Sequence, residues 1–476
     1  MKVACAEILA SLPAEWPESL LPEIAGSVRR SRKKIIVLDD DPTGTQTVYG
    51  VPVFTEWSAE ALRELLADPR QIGYILTNSR SLSGEEAQEL SAAIARNLLA
   101  AAETSGKEFV VISRSDSTLR GHYPGEVDSF IEELGEAFDG ILIVPFFFEG
   151  GRFTIHDTHY VQEAASLIPA AETEYARDAT FGYHNSDLRK WVTEKHCGRI
   201  SPSEVVSISI EDERRGGPEC VARRLKTVSG GQVCVVNAAS YRDLEVFVAG
   251  LLRAEAGGKR FFYRTAASFV RVRGGLAPKP LLSSRELGVA QRNRAGGLVI
   301  AGSHVQRSSA QIADAAALPG VCCLEVCVEI LLNPGTRSGE IARVAETADG
   351  ALRSGQDTLI FTSRRLAVGN NSAENLRIGN VVSDSLVAIV QKIDERPAWI
   401  VAKGGITSSD VATKALGIRR AEVLGQAFPG VPVWLTGDDS RWPGLVYMVF
   451  PGNVGQTDTL AEMMRMLRNA NGAPTC

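Results

Sequence analysis

Long apolar runs and cysteines are both scarce in this sequence. No apolar stretch approaches the roughly 20 residues that a membrane-spanning helix needs. The first 25 residues carry four glutamates, where a signal peptide would be continuously apolar. We therefore expect a cytoplasmic protein without a membrane partner. The eight cysteines lack metal-site spacing, and we expect Cys322, Cys323 and Cys327 to be buried free thiols in a strand.

An excess of positive charge and the common nucleotide motifs are also missing. The formal net charge is -6, and the one dense basic run, residues 29–34, precedes an apolar strand like a solvated flank. We therefore expect no nucleic-acid partner. Neither a Walker A sequence nor a Gly-x-Gly-x-x-Gly motif is present, which disfavours P-loop NTPases, protein kinases and dinucleotide enzymes.

Length and periodicity indicate the fold class. A chain of 476 residues exceeds the size of one hydrophobic core. Apolar runs alternate with helix-like segments, such as the capping box of Ser83 and Glu86 and the helical spacing of 125–134. The predicted strands are 35–38, 74–76, 109–112, 141–144, 298–301, 358–361, 399–402, 431–435 and 445–450.

This alternation predicts an α/β protein of two domains, each a mostly parallel sheet covered by helices, with the active site in the interdomain cleft. Residues 266–295 lack clear periodicity and are predicted to connect the domains. The expected division is an N-terminal extension (1–32), a substrate domain (33–265), the connection (266–295) and a nucleotide-binding domain (296–476).

Three consecutive carboxylates, Asp39, Asp40 and Asp41, follow the first predicted strand on a tight turn. Crowded carboxylates raise one another's pKa, so such a cluster normally has a cation, a substrate hydroxyl or a hydrogen-bond donor to satisfy it. The alternative is structural: Asp39 caps the turn while its neighbours bind backbone amides.

A second polar loop, residues 116–122, contains an acid, two hydroxyls and a guanidinium, and Arg80 follows another strand. This mixture suits a polyhydroxy acid, because Asp116 can bind hydroxyls while Arg120 or Arg80 binds a carboxylate. The structural alternative is a salt bridge between Asp116 and Arg120 that ties down the loop.

Three loops rich in small residues follow strands of the second half, at 301–303, 403–409 and 451–455. Paired glycines let the backbone approach an anion, and a helix N-terminus presents free N–H groups. The loops predict a phosphate cradle, although a strand-Gly-Gly-helix turn is often only a turn.

Together these segments resemble the four-carbon acid sugar kinase family. The resemblance extends over about residues 33–466 and rests on these strings: Asp40-Asp41-Pro42-Thr43-Gly44, Thr77-Asn78-Ser79-Arg80, Asp116-Ser117-Thr118-Leu119-Arg120-Gly121, Gly302-Ser303, Gly404-Gly405 and Pro451-Gly452-Asn453. Residues 146–152 and 181–183 also look like a longer subgroup of the family.

The resemblance implies an ATP- and Mg²⁺-dependent kinase that phosphorylates the terminal hydroxyl of threonate, erythronate or 3-oxo-tetronate. It implies ATP binding at Ser303, Gly404, Gly405, Ile406, Thr407 and Gly452. The substrate residues expected are Asp40, Asp41, Asn78, Ser79, Arg80, Asp116, Ser117 and Arg120. Asp116 is favoured over Asp40 as catalytic base, and Mg²⁺ is expected to have few direct protein ligands.

Two other functions are compatible with parts of the sequence. Asp39-x-Asp41-x-Thr43 matches the nucleophile loop of haloacid dehalogenase-like phosphatases, with Asp39 as nucleophile and Asp41 as acid. A non-catalytic sugar-acid sensor would use the substrate residues without turnover. A homodimer is also allowed for.

Overall fold

The computed structural model describes residues 3–135, 137–288, 295–302, 305–364, 372–452 and 454–470. The chain divides into two compact units. The N-terminal unit comprises Met1–Val48 and Glu56–Pro278, and the C-terminal unit comprises Tyr49–Thr55 and Lys279–Cys476.

The secondary structure follows the alternation seen in the sequence. The strands are β1 Val3–Ala4, β2 Lys34–Asp39, β3 Val51–Phe54, β4 Ile72–Leu76, β5 Phe109–Arg114, β6 Gly140–Val144, β7 Arg152–Ile155, β8 Thr158–Glu163, β9 Ser166–Pro169, β10 Val206–Ile208, β11 Gln232–Val236, β12 Phe261–Thr265, β13 Leu298–Ala301, β14 Val321–Val326, β15 Asp357–Thr362, β16 Trp399–Lys403, β17 Arg420–Phe428, β18 Val431–Thr436 and β19 Val446–Phe450. The helices are α1 Cys5–Ser11, α2 Leu21–Ser31, α3 Ala59–Ala67, α4 Gly84–Ser105, α5 Gly125–Leu134, α6 Leu188–Lys195, α7 Ile210–Arg214, α8 Gly217–Thr227, α9 Tyr241–Ala256, α10 Ala267–Arg273, α11 Ser284–Gly288, α12 Gln306–Ala316, α13 Val328–Leu332, α14 Pro334–Arg353, α15 Ser372–Lys392, α16 Gly405–Asp410 and α17 Thr459–Ala470.

The N-terminal unit is built on a parallel sheet in the order β10-β11-β6-β12-β5-β2-β4. Ile35, Ile36 and Val37 of β2 are almost completely buried, as expected for a strand whose two faces are both covered. A second, antiparallel sheet in the order β1-β9-β8-β7 lies in the same unit. Since neighbouring strands of the large sheet are parallel, the residues that follow them share one edge.

The C-terminal unit has a mixed sheet in the order β3-β17-β18-β19-β16-β13-β15-β14. The strands from β19 to β14 are parallel, whereas β3, β17 and β18 join by antiparallel pairing. The core of this unit includes Trp399, Met448 and Phe450, all fully buried. β3 reaches this sheet from residues 49–55, an excursion that the sequence did not predict.

The predicted α/β class with mostly parallel sheets is confirmed. Each predicted strand lies in an observed one, apart from a one-residue difference at the start of β19. Ser83 and Glu86 form the predicted capping box before α4. Residues 267–273, inside the predicted connection, form α10, which is mostly buried and too short to show clear helical periodicity.

The expectation of buried thiols in β14 is wrong. The cysteines are unpaired, but Cys323 is exposed and Cys322 and Cys327 are only partly buried. β14 is the edge strand of its sheet and both of its faces are only partly covered, while Cys327 follows the strand and precedes α13. Among the helices described, none has both the length and the apolarity to cross a bilayer.

Candidate functional site

The polar loops of the N-terminal unit meet beyond the carboxyl ends of β2, β4 and β5, which are neighbours in the sheet. They bring together four carboxylates, which we call the aspartate cluster: Asp39, Asp40, Asp41 and Asp116. The loop after β2 folds tightly around the first of these, since a Cβ at Gly44 would lie only 1.9 Å from Asp39 Oδ1. A glycine is therefore required at that position.

Arg80 joins three members of the cluster. Its Nη2 lies 3.0 Å from Asp41 Oδ2, its Nε 3.2 Å from Asp40 Oδ2, and its Nη1 3.4 Å from Asp116 Oδ1. Arg80 stands on a single helical turn after β4, which Asn78 precedes in the left-handed conformation. The predicted substrate residues Asn78 and Ser79, which precede and begin this turn, thus lie beside the cluster.

Arg114 lies beneath the cluster. Its Nη1 is 3.1 Å from Asp39 Oδ1 and 3.5 Å from Asp40 Oδ1, and all three side chains are buried. No role for Arg114 was predicted from the sequence. The signal in the sequence was an arginine at the end of a mostly apolar strand. Because a buried charge requires a partner, this position indicates an acidic side chain nearby.

The Asp116 loop is held by its own arginine. Arg120 donates to Asp116 through Nε at 2.9 Å and Nη2 at 3.3 Å, and the backbone N–H of Thr118 donates at 3.2 Å. Arg120 Nη1 also lies 3.5 Å from Asp178 Oδ2. The salt bridge considered as a structural alternative is therefore present.

Two further residues hold the same loop, His159 of β8 and Tyr183 of the segment between β9 and α6. His159 Nε2 donates to the carbonyl of Ser117 at 2.8 Å, and the Tyr183 hydroxyl donates to the carbonyl of Thr118 at 2.8 Å. Burial lowers the pKa of His159 to about 4, so its imidazole is neutral at physiological pH. The predicted substrate residue Ser117 is almost fully buried within this network.

Arg264, the fourth residue of β12, supports the loop from the sheet. Its Nη2 donates to the carbonyl of Arg120 at 3.1 Å. Its guanidinium carbon lies 5.1 Å from the ring centroid of Tyr123 and 5.5 Å from that of Trp191. Since these partners are far apart in sequence, no local pattern revealed this role.

The environment divides the aspartates into two kinds. Burial raises the pKa of Asp39 to about 8 and also raises that of Asp40, despite the nearby arginines. Burial acts in the same direction on Asp41 and Asp116, but Arg80 at the first and Arg120 with Arg80 at the second outweigh it and lower both pKa values. Asp40 Oδ2 is buried and has no hydrogen-bond partner among the described residues.

Glu126, at the start of α5, is a further acid beside the cluster. It accepts a 2.6 Å hydrogen bond from Ser79 Oγ. Burial raises the pKa of Glu126 to about 7. Nowhere in the described ranges do three His, Cys, Asp or Glu side chains form an arrangement that could hold a metal ion.

In the C-terminal unit, loops after β13, β16 and β19 come together at one sheet edge. Gly404 has φ 113°, a conformation that favours glycine, and its N–H donates to the carbonyl of Phe450 at 2.8 Å. A Cβ at Gly302 would lie 2.5 Å from Thr407 Oγ1. Ser308 donates to the carbonyl of Gly452 at 3.0 Å.

Of the predicted nucleotide residues, Gly404 and Gly452 lie in adjoining loops and Gly405, Ile406 and Thr407 form the start of α16, whereas Ser303 lies outside the described residues. Gly405 begins α16, and the Ile406 side chain is 60% exposed. Fully buried Lys403 precedes them, and its Nζ donates to the carbonyl of Pro451 at 3.2 Å. Burial lowers the pKa of Lys403 to about 7.

Comparison with known families distinguishes the same two parts of the chain. A model of a sugar-binding N-terminal domain matches residues 35–273, and a model of a nucleotide-binding C-terminal domain matches residues 298–460. The chain belongs to the four-carbon acid sugar kinase family, which confirms the resemblance found in its motifs.

Individual relatives are more distant. A D-erythronate kinase of Heliobacterium modesticaldum is 25% identical over 326 residues, which span 65% of this chain and 66% of that relative, just under two thirds of its length. Two solved structures share the fold. A Salmonella typhimurium LT2 protein provisionally assigned as a tRNA synthase has a TM-score of 0.65 at 18% identity, with 91% of this chain and 98% of that one covered. Haemophilus influenzae protein HI1011, of family DUF1537, has a TM-score of 0.59 at 17% identity, with 90% and 99% covered.

Proposed function

We propose that this protein is a kinase that transfers the terminal phosphoryl group of ATP to the terminal hydroxyl of a four-carbon sugar acid. The carrying observation is the aspartate cluster, in which buried Asp40 Oδ2 contacts Arg80 Nε at 3.2 Å but accepts no hydrogen bond from the described residues. A substrate hydroxyl would satisfy this oxygen, as buried polar atoms generally require. The D-erythronate kinase relative supports the same substrate class.

Within this proposal, Asp40 is a better candidate for the base than Asp116, which the sequence favoured. Asp116 is bound by Arg80, Arg120 and the Thr118 backbone, and its lowered pKa makes it a weak proton acceptor. Asp40 combines a raised pKa with an oxygen, Oδ2, that forms no hydrogen bond and has only the ion-pair contact with Arg80 Nε at 3.2 Å. We assign it the orientation and deprotonation of the attacking hydroxyl.

We assign nucleotide binding to residues 296–476 and acid binding to residues 33–265. Gly404 has φ 113°, which favours glycine, and it directly precedes α16, as in loops whose backbone N–H groups approach a phosphate. ATP is a substrate here, and the Mg²⁺ that accompanies it neutralises charge on its phosphates. The residues of this chain contribute the positioning of both substrates.

The test is incubation with ATP, Mg²⁺ and a panel of D-erythronate, L-threonate, D-threonate and 3-oxo-tetronate, with ADP and phosphorylated acid measured. We expect stoichiometric ADP and a phosphorylated product with at least one acid. Tight acid binding without ADP would favour the sensor. Acid-independent release of phosphate from phosphorylated sugars would favour the phosphatase.

The geometry weighs against the phosphatase. A nucleophilic aspartate must be ionised and reachable. Asp39 is buried, its pKa is raised to about 8, and the Gly44 backbone lies against it. The second residue of that motif, Asp41, accepts a hydrogen bond from the Thr43 backbone at 2.9 Å and contacts Arg80. Its lowered pKa leaves it without a proton to donate at neutral pH.

A further inference from the structure

The arginines closest to the aspartate cluster already contact its carboxyl groups. Arg80, Arg114 and Arg120 each have a guanidinium nitrogen within 3.2 Å of a cluster carboxylate. Arg120 uses two nitrogens, Nε and Nη2, in its contact with Asp116. A carboxylate of the substrate would have to displace one of these contacts, so another cation is needed to bind it.

Arg152 is such a cation. In the part of the chain that the structure describes, it has no carboxylate partner, and its Nε is buried without a hydrogen bond. Its other nitrogens donate to neutral groups, Nη1 to the Gly150 carbonyl and Nη2 to the Tyr175 hydroxyl at 3.4 Å. A partly buried guanidinium with only neutral partners is suited to bind an anion.

The fold holds Arg152 beside the Asp116 loop. It begins β7, and its backbone exchanges two hydrogen bonds with Phe147, three residues beyond the end of β6. The Tyr175 ring lies against both arginines, with its centroid 5.3 Å from the Arg120 guanidinium carbon and 5.5 Å from that of Arg152. Tyr175 therefore fixes the position of Arg152 relative to the loop that holds Asp116.

We propose that Arg152 binds the carboxylate of the sugar acid and thereby selects acids over uncharged polyols, with Tyr175 holding it beside Arg120. This inference rests on the proposed function. The planar guanidinium offers a carboxylate two parallel N–H donors. In this arrangement Arg120 stabilises the Asp116 loop and does not bind the substrate carboxylate.

The test compares wild type with Arg152→Gln, Arg152→Lys and the matched control Arg96→Gln, whose arginine forms an exposed pair with Glu133. Binding of D-erythronate is measured by calorimetry without ATP, and KM and kcat are measured with D-erythronate and with its uncharged amide. For Arg152→Gln we expect Kd and KM for the acid to rise about 10- to 100-fold, with little change in kcat or in KM for ATP. Kd and KM of Arg152→Lys for the acid should lie between those of wild type and Arg152→Gln, and those of Arg96→Gln should match wild type.

The preference for acid over amide separates binding from a structural role. Arg152→Gln should lose that preference, whereas a variant that merely loosens the fold would weaken both ligands equally. If wild type phosphorylates D-erythronate and Arg152→Gln keeps its KM and its preference, this inference is wrong while the proposed function stands. If wild type neither binds nor phosphorylates any acid of the panel, the proposed function fails and this inference with it. Should Arg152→Gln fail to fold, an Arg152→Lys variant with unchanged KM and preference would equally overturn the inference.

Discussion

Replacing Arg80 by glutamine should destabilise the N-terminal unit strongly, because it removes the shared partner of three carboxylates. At the observed separations of 3.0–3.4 Å, each contact corresponds to about 5 kcal/mol of Coulomb attraction at an effective dielectric constant of 20. Desolvation of the guanidinium offsets much of this sum. Breaking a buried pair typically costs about 3–5 kcal/mol, and we expect a loss in that range at pH 7.

The pH dependence of this loss has a defined sign. Arg80 contributes to the lowered pKa values of Asp41 and Asp116. A lowered carboxyl pKa stabilises the fold above the unfolded pKa of about 4, and this stabilisation is lost as pH falls through the folded pKa. The difference between wild type and Arg80→Gln should therefore be widest near neutral pH and narrow in acid.

Because a chain with two compact units has no single well-defined free energy of unfolding, the measurement is hydrogen exchange of β2 and β5 peptides at several pH values. The control is Arg96→Gln, which removes the same group from an exposed pair of 2.8 Å and should cost under about 1 kcal/mol. The electrostatic account of the cluster would be refuted if Arg80→Gln lowered the free energy of opening of these peptides as little as the control does. It would also be refuted if the loss were equal at pH 7 and pH 3.

Three further predictions concern other residues. Asp39→Asn should retain most phosphoryl transfer to the acid in an ADP assay, because Asp39 is largely protonated at pH 7; abolition of activity would instead point to a nucleophile. Gly405→Val should weaken ATP binding about 10-fold or more in calorimetry while leaving acid binding unchanged, and unchanged ATP affinity would contradict the phosphate cradle. Because the pKa of Lys403 is lowered, the stability of the C-terminal unit should rise with pH from about 7 towards the unfolded lysine pKa of about 10. In Lys403→Met, the protection of β16 peptides from hydrogen exchange should no longer rise over this pH range. If it still rises, Lys403 is not the source of the effect.

Local features were predictable where the determinant lies within a few residues. The buried strand β2 follows from the apolar run 35–38, α5 from the spacing of residues 125–134, and the start of α4 from the Ser83 and Glu86 capping box. Parallel sheets then follow from strand-helix alternation, which places the polar loops at a common edge.

Other features depend on pairings that no local pattern encodes. β3 joins the C-terminal sheet by pairing with β17, more than 360 residues later in the chain. Arg264 reaches the Asp116 loop across the sheet, and Arg152 meets Arg120 only through Tyr175. Each contact requires the fold to be complete.

The aspartates show the division most clearly. The sequence by itself determined that Asp39, Asp40 and Asp41 crowd a turn after a buried strand, and that an acid and an arginine occupy a neighbouring loop. The tertiary structure decided which carboxylates keep their protons. A pKa depends on burial and on charges within a few ångströms, and here those charges come from Arg80 and Arg114, about 40 and 75 residues further along the chain.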